Sequence, residues 1–135
     1  MRLIKFLFIH CTATPCGKDY SKTEILEWFA AKGWSKPGYH YIVHLDGNIT
    51  QLLKVCHVAN GVKGFNQNAI HIAYIGGLSA EGKPSDTRTD KQKETLAKLI
   101  KEVMSIYPYV KVKGHNEVAN KACPCYNVKK EVYGR

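Results

Sequence analysis

The hydrophobic positions of the chain fall into short continuous runs separated by polar stretches containing Gly and Pro, and helical periodicity appears twice. Residues 3–11 form an almost unbroken apolar run rich in Phe, Leu and Ile, which predicts a central strand covered on both faces. His10 stands at the C-terminal end of that run, where α/β sheets place ligands. Thr12 to Gly17 read as a loop. Ser21-Lys22-Thr23-Glu24 has capping-box spacing, and Ile25, Leu26, Trp28 and Phe29 recur at helical spacing behind it. A helix is therefore predicted from Ser21 as N-cap to Gly33 as terminator. Aromatic and β-branched residues then run from Gly38 to Asp46-Gly47, a hairpin signal, and a second strand continues to Leu53.

Residues 54–69 are irregular. Ile70 to Ile75 predict another buried strand, stopped by Gly76-Gly77, and residues 78–89 predict a polar surface loop. Thr89 and Gln92 repeat the capping-box spacing, and Leu96, Leu99, Ile100, Val103 and Met104 make the apolar stripe of a helix over 90–106. Residues 109–113 alternate Val with Lys and predict a short strand. Asn127 is placed to cap a short C-terminal helix. No repeat, linker or low-complexity segment interrupts the order. The expectation is an α/β fold: one domain over residues 1–135, with a mixed central β-sheet flanked by helices on its faces.

The composition adds limits. Of 135 residues, 44% are hydrophobic, so the chain can bury a core and disorder is not expected. No apolar run is long enough to span a bilayer. The N-terminal apolar run is interrupted by Lys5 and has no small-residue cleavage site, so no signal peptide is expected and the chain is cytoplasmic as synthesised. Five cysteines, an odd number at irregular spacing, argue against a disulfide framework. The net charge of +9 favours polyanionic partners or a solubilising surface. The lysines are dispersed and no nucleic-acid motif appears, so nucleic acid is not an expected partner. A monomer is expected.

Candidate chemistry concentrates between Gly114 and Pro124, where His115, Glu117, Lys121 and Cys123 occupy one short irregular segment. A loop this rich in metal-capable side chains points to a site. Catalytic zinc takes three protein ligands from His, Cys or carboxylate and keeps a fourth position open. His10, His115 and Cys123 could form such a set, because each lies at or just beyond a predicted strand end. Spacing alone is weak evidence. His115 and Cys123 are not at zinc-finger spacing, and ordinary readings remain open: His10 an edge histidine, Cys123 a small buried hydrophobe.

Five segments in order carry a resemblance: Phe8-Ile9-His10-Cys11-Thr12-Ala13-Thr14, Gly38-Tyr39-His40-Tyr41, Lys63 to Ile70, Ile75-Gly76-Gly77, and Gly114-His115 through Lys121-Ala122-Cys123-Pro124. Together they resemble the zinc-dependent N-acetylmuramoyl-L-alanine amidases of the type-2 family, in the pattern of the small phage-type endolysins and the related peptidoglycan-recognition proteins. The resemblance spans nearly the whole chain. It implies zinc (Zn2+) held by His10, His115 and Cys123, with Tyr39 and Lys121 assisting catalysis. It implies hydrolysis of the amide between N-acetylmuramic acid and L-alanine in peptidoglycan, reached after release or translocation. The other reading on the same fold is a module that binds muramyl peptides without cleaving them; the three retained ligand-type residues favour the enzyme. Asn66 and Asn68, in a loop expected to face the site, are candidate substrate contacts, with turn formation an equal reading. His40, His44 and His71 are expected to be structural strand residues.

The chain departs from the family pattern in two places. Relatives often carry Asp where Asn127 stands, so an ionic role there is lost while the cap is kept. Some relatives place a groove histidine just before the segment matching Lys63-Gly64, where this chain reads Asn60-Gly61-Val62.

Overall fold

The computed structural model of the chain describes residues 2–134. The first apolar run becomes β1 (Phe6–Cys11), and every residue from Leu7 to Cys11 is buried, as a strand covered on both faces requires. It starts later than the apolar pattern does, because Leu3 is exposed. The helix after Ser21 is α1 (Lys22–Ala31), closed by the reciprocal bonds of a capping box: Glu24 N–H donates to Ser21 Oγ, and Ser21 N–H donates to Glu24 Oε1. The hairpin strands are β3 (Tyr41–Val43) and β4 (Ile49–Gln51), turning through Asp46-Gly47. The next buried strand is β5 (Ala69–Tyr74), preceded by a 3-10 turn over Asn66–Asn68. The second capped helix is α2 (Asp90–Ile106), followed by β7 (Lys111–Gly114) and α3 (Val128–Tyr133), whose N-cap is Asn127.

Two strands escape the sequence pattern. β2 (Thr14–Pro15) and β6 (Gly77–Leu78) pair in parallel as a separate ribbon. Each has two residues, too few for any periodicity to register.

The main sheet has the order β4-β3-β5-β1-β7. β3, β5, β1 and β7 run parallel to their neighbours, while β4 returns antiparallel through the hairpin. The sheet is mixed, with helices on both faces. On one face Leu7, Ile9, Ile70, Ile72 and Tyr74 pack against Leu96, Leu99, Ile100 and Val103 of α2. On the other, Ile42, Ala73 and Ile75 meet Ile25 and Phe29 of α1, and Phe8 and Ala69 meet Val62 and Phe65 of the loop before β5. Each fully buried aliphatic side chain contributes roughly 1.5–3 kcal/mol through its area removed from water. Gln92 fastens α2 to this sheet: its amide donates to the carbonyls of Val43 and Ile75, at 3.2 and 3.0 Å. Among the described residues no helix is long and apolar enough to cross a membrane.

Candidate metal centre

Parallel pairing of β1 with β7 builds the site. Ile9 is in register with Gly114, so the next residue after each is a histidine: His10 still on β1, and His115 just past the end of β7. Side chains at matched positions of parallel strands point to the same face. The two rings meet edge to face with centroids 4.8 Å apart. His115 opens a 3-10 turn, and Glu117 secures that turn by accepting the Gly114 N–H at 2.7 Å. Glu117 is thereby a structural carboxylate.

Cys123 arrives from the loop after this turn. Its sulfur accepts the Cys11 N–H at 3.2 Å and lies 3.9 Å from His10 Nδ1. Beyond it, Tyr74 donates its hydroxyl to the Pro124 carbonyl at 2.6 Å, which ties the loop to β5. Arg88 braces the same region from outside, with its guanidinium over the Tyr126 ring and ion pairs to Asp86 and Glu131 at 2.9 and 2.8 Å.

The donor atoms of His10, His115 and Cys123 all lie within 4.8 Å of one another. Zinc bonds of about 2.0–2.3 Å in a tetrahedral arrangement need donors roughly 3.5 Å apart, so a small contraction would close the set. Two imidazoles and one thiol are also the donor chemistry that zinc takes. The residues present therefore fit the metal.

The electrostatics prepare the same donors. Burial holds His10 well below the usual imidazole range, reinforced by His71, His115 and Lys121. Burial, then the Lys121 charge, also lowers His115. Both rings are thus neutral, with lone pairs available, at neutral pH. Hydrogen bonding from Cys11 pulls the Cys123 thiol down, with help from Lys121. Cys11 itself is pushed far up, first by its contact with Cys123 and then by burial. The two neighbouring thiols are driven apart, and the more acidic one is Cys123, which faces the histidines.

Tyr39 packs on His10 with ring centroids 5.1 Å apart and donates its hydroxyl to the Cys11 carbonyl at 3.3 Å. Its phenol is held well above the usual range by burial, so it keeps its proton. Phe29 of α1 supports Tyr39 edge-on at 5.4 Å. Lys121 is exposed, and its charge bears on all three metal-capable side chains.

Asn66 and Asn68 are not at this rim. They lie at the start of β5, whose first residue Ala69 pairs with Phe6 at the start of β1, whereas His10 pairs with Ala73 near the far end. Asn68 donates its amide to the Leu3 carbonyl at 2.8 Å. Asn66 Oδ1 accepts the N–H groups of Gly61 and Val62 at 3.1 and 2.8 Å. The expected loop position is corrected: the parallel register carries both amides to the strand-start end of the sheet, where they hold main chain.

The sequence also hides a contact. His71, read as a structural strand residue, places Nδ1 at 2.9 Å from His10 Nε2. Its only sequence signal is a lone imidazole inside the apolar strand Ala69-Ile70-His71-Ile72-Ala73-Tyr74.

Comparison with known proteins gives the family. The family model for N-acetylmuramoyl-L-alanine amidase matches residues 1–126. The endolysin of Klebsiella phage KP32 is 33% identical over 92% of this chain and 82% of its own length. The endolysin of Escherichia phage T7 is 32% identical over the same shares. Among solved structures, the N-acetylmuramoyl-L-alanine amidase LysC from Clostridium intestinale superposes with a TM-score of 0.79 at 25% identity, covering 95% of this chain and 80% of that one. The chain belongs to the N-acetylmuramoyl-L-alanine amidase family.

Proposed function

We propose that this chain is a zinc-dependent amidase that hydrolyses the bond between N-acetylmuramic acid and the L-alanine of the peptidoglycan stem peptide. The observation that carries this reading is the convergence of His10, His115 and Cys123 within 4.8 Å at one rim of the sheet, in a chain of this family. The named activity of LysC and the endolysin relatives support it.

Zinc held by these three side chains would supply Lewis-acid polarisation of the scissile carbonyl and would lower the pKa of an attacking water towards about 7. The chain's own groups do the rest. Attack on the amide carbon moves negative charge onto the carbonyl oxygen. The Lys121 ammonium, exposed beside the donors, stabilises that oxyanion in a site walled by buried side chains. Tyr39 retains its phenolic proton, so it acts as a neutral hydrogen-bond donor that orients the carbonyl or the water. Glu117 is engaged by Gly114 N–H, and no role as proton acceptor is assigned to it.

The alternative on this fold is a module that binds muramyl peptides without cleaving them. The complete donor set and the neighbouring Lys121 favour the enzyme. Metal-loaded and metal-stripped protein, incubated with purified sacculi and followed by mass spectrometry of released fragments, separates the two. Free stem peptides released only by the metal-loaded form are expected. Intact sacculi in the presence of protein carrying stoichiometric zinc would overturn the amidase in favour of the binding module.

A further inference from the structure

His71 is fully buried on the face of the sheet that carries His10, and its ring is confined from several sides. Phe8 stacks against it at 5.6 Å and 13°, and His40 at 5.9 Å and 6°. His40, the residue before β3, fixes its backbone: His71 N–H donates to the His40 side chain at Nδ1, 3.0 Å away, and the His71 carbonyl accepts the His40 N–H at 2.9 Å. The main chain of Gly61 closes the remaining side. A Cβ at position 61 would collide with Nδ1, Cε1 and Cγ of the imidazole, so a side chain there and this ring compete for one volume. Asn66 holds that main chain down through the N–H groups of Gly61 and Val62.

Among the described residues one polar contact serves this confined ring, between His71 Nδ1 and His10 Nε2 at 2.9 Å. His71 Nε2 is buried with no partner among the described residues. His10 turns its other nitrogen, Nδ1, towards Cys123. A neutral imidazole carries one proton. If His10 Nδ1 is a metal donor, its proton must sit on Nε2 and point at His71 Nδ1. His71 must then accept there and carry its own proton on Nε2. Metal-ligating histidines commonly give their second N–H to a carboxylate, carbonyl or water, which sets tautomer and ring orientation. Here the acceptor is a second imidazole, whose neutral ring adds no charge to the site.

We infer that His71 is a positioning residue for the metal centre: its Nδ1 accepts the His10 Nε2–H and holds His10 as an Nδ1 donor, while the Gly61–Asn66 clamp keeps the acceptor in place. This rests on the reading of His10, His115 and Cys123 as a zinc site. It gives Gly61 and Asn66 a task at the centre although neither touches a donor atom of the cluster.

Long-range 1H–15N correlation spectra of the zinc-loaded wild-type protein report both tautomers directly. Nε2–H forms of His10 and His71 are expected; an Nδ1–H form of His71 would overturn the inference. Zinc affinity by chelator competition and the visible spectrum of cobalt-substituted protein give the second readout. His71→Leu should weaken zinc binding about 10–100-fold and alter the cobalt spectrum. His71→Asn, which keeps an acceptor oxygen near the Nδ1 position, should recover most of the loss. Gly61→Ala, which displaces the ring, should weaken binding in the same direction. Equal losses in His71→Leu and His71→Asn with unchanged cobalt spectra would reduce His71 to packing and overturn the proposal. If the leucine variant does not fold, the wild-type tautomers still decide. Failure of the wild-type protein to bind zinc at all would instead overturn the reading of the cluster.

Discussion

Cys123 Sγ lies 3.9 Å from His10 Nδ1 although 113 positions separate the two residues. The main-chain N–H of Cys11 bridges the gap, donating to that sulfur at 3.2 Å from the residue that follows His10. That sulfur is therefore bonded to the same strand end that presents the imidazole, so the affinity of the proposed zinc site is expected to depend on the β1 terminus as a unit.

Lys121 is expected to act on the transition state and not on metal retention. Its charge bears on His10, His115 and Cys123, but it offers no electron pair to a metal while protonated. Lys121→Ala should keep zinc at full stoichiometry and lower kcat by about 10²–10³, the range for loss of one oxyanion-stabilising group. Metal content by elemental analysis, beside turnover on a soluble muropeptide, checks both halves. Unchanged turnover with zinc bound would remove Lys121 from the mechanism.

Acid should destabilise the metal-free protein in part through His40. Burial, with a contribution from Arg2, pushes this histidine down to about 4, against the opposing pull of the His57 carbonyl that its Nε2–H reaches at 2.8 Å. The unfolded chain protonates the same ring near 6.5. Between about 6.5 and about 4 the unfolded state binds the extra proton, so stability falls as pH falls, by up to about 1.4 kcal/mol per pH unit for this one group. Above about 6.5 the contribution is flat. Urea denaturation in chelator at several pH values should show the slope, and His40→Asn should reduce it by about one proton. An identical slope in the variant would contradict the assignment.

Gln92→Leu should cost stability without touching the site. The amide is buried and serves the Ile75 and Val43 carbonyls, while its oxygen accepts the Thr89 N–H at 2.9 Å. Leucine fills similar volume but leaves the Ile75 carbonyl unmatched and opens the capping box. The combined loss is expected at about 2–3 kcal/mol by denaturant titration, with zinc affinity unchanged. A cost under about 0.5 kcal/mol would show that relaxation or water replaces these bonds.

Much of the fold was legible because local rules sufficed. α2 begins and ends where its cap and its apolar stripe predict, at Asp90 and Ile106, and Asn127 caps α3 by accepting the Lys130 N–H at 3.0 Å. The hairpin strands come out shorter than their aromatic and β-branched runs, and the β2–β6 ribbon leaves no pattern at all. In the site, His10, His115 and Cys123 could be named from residue type and from the resemblance. Which end of the sheet Asn66 occupies could not, because alternation along a strand says nothing about which strand lies beside it or in what direction.

By itself the sequence determined the chemistry available: two imidazoles at strand ends, a thiol and a nearby ammonium in the loop that follows, and capped helices to cover a sheet. Tertiary structure decided who meets whom. The register that sets Ile9 against Gly114 delivers His10 and His115 to each other. The neighbouring register of β1 with β5 puts His71 under His10 and removes Asn66 and Asn68 from the rim. Hydrogen-bonded strand register is a non-local quantity, fixed by the packing of both sheet faces at once, and no window of the chain contains it.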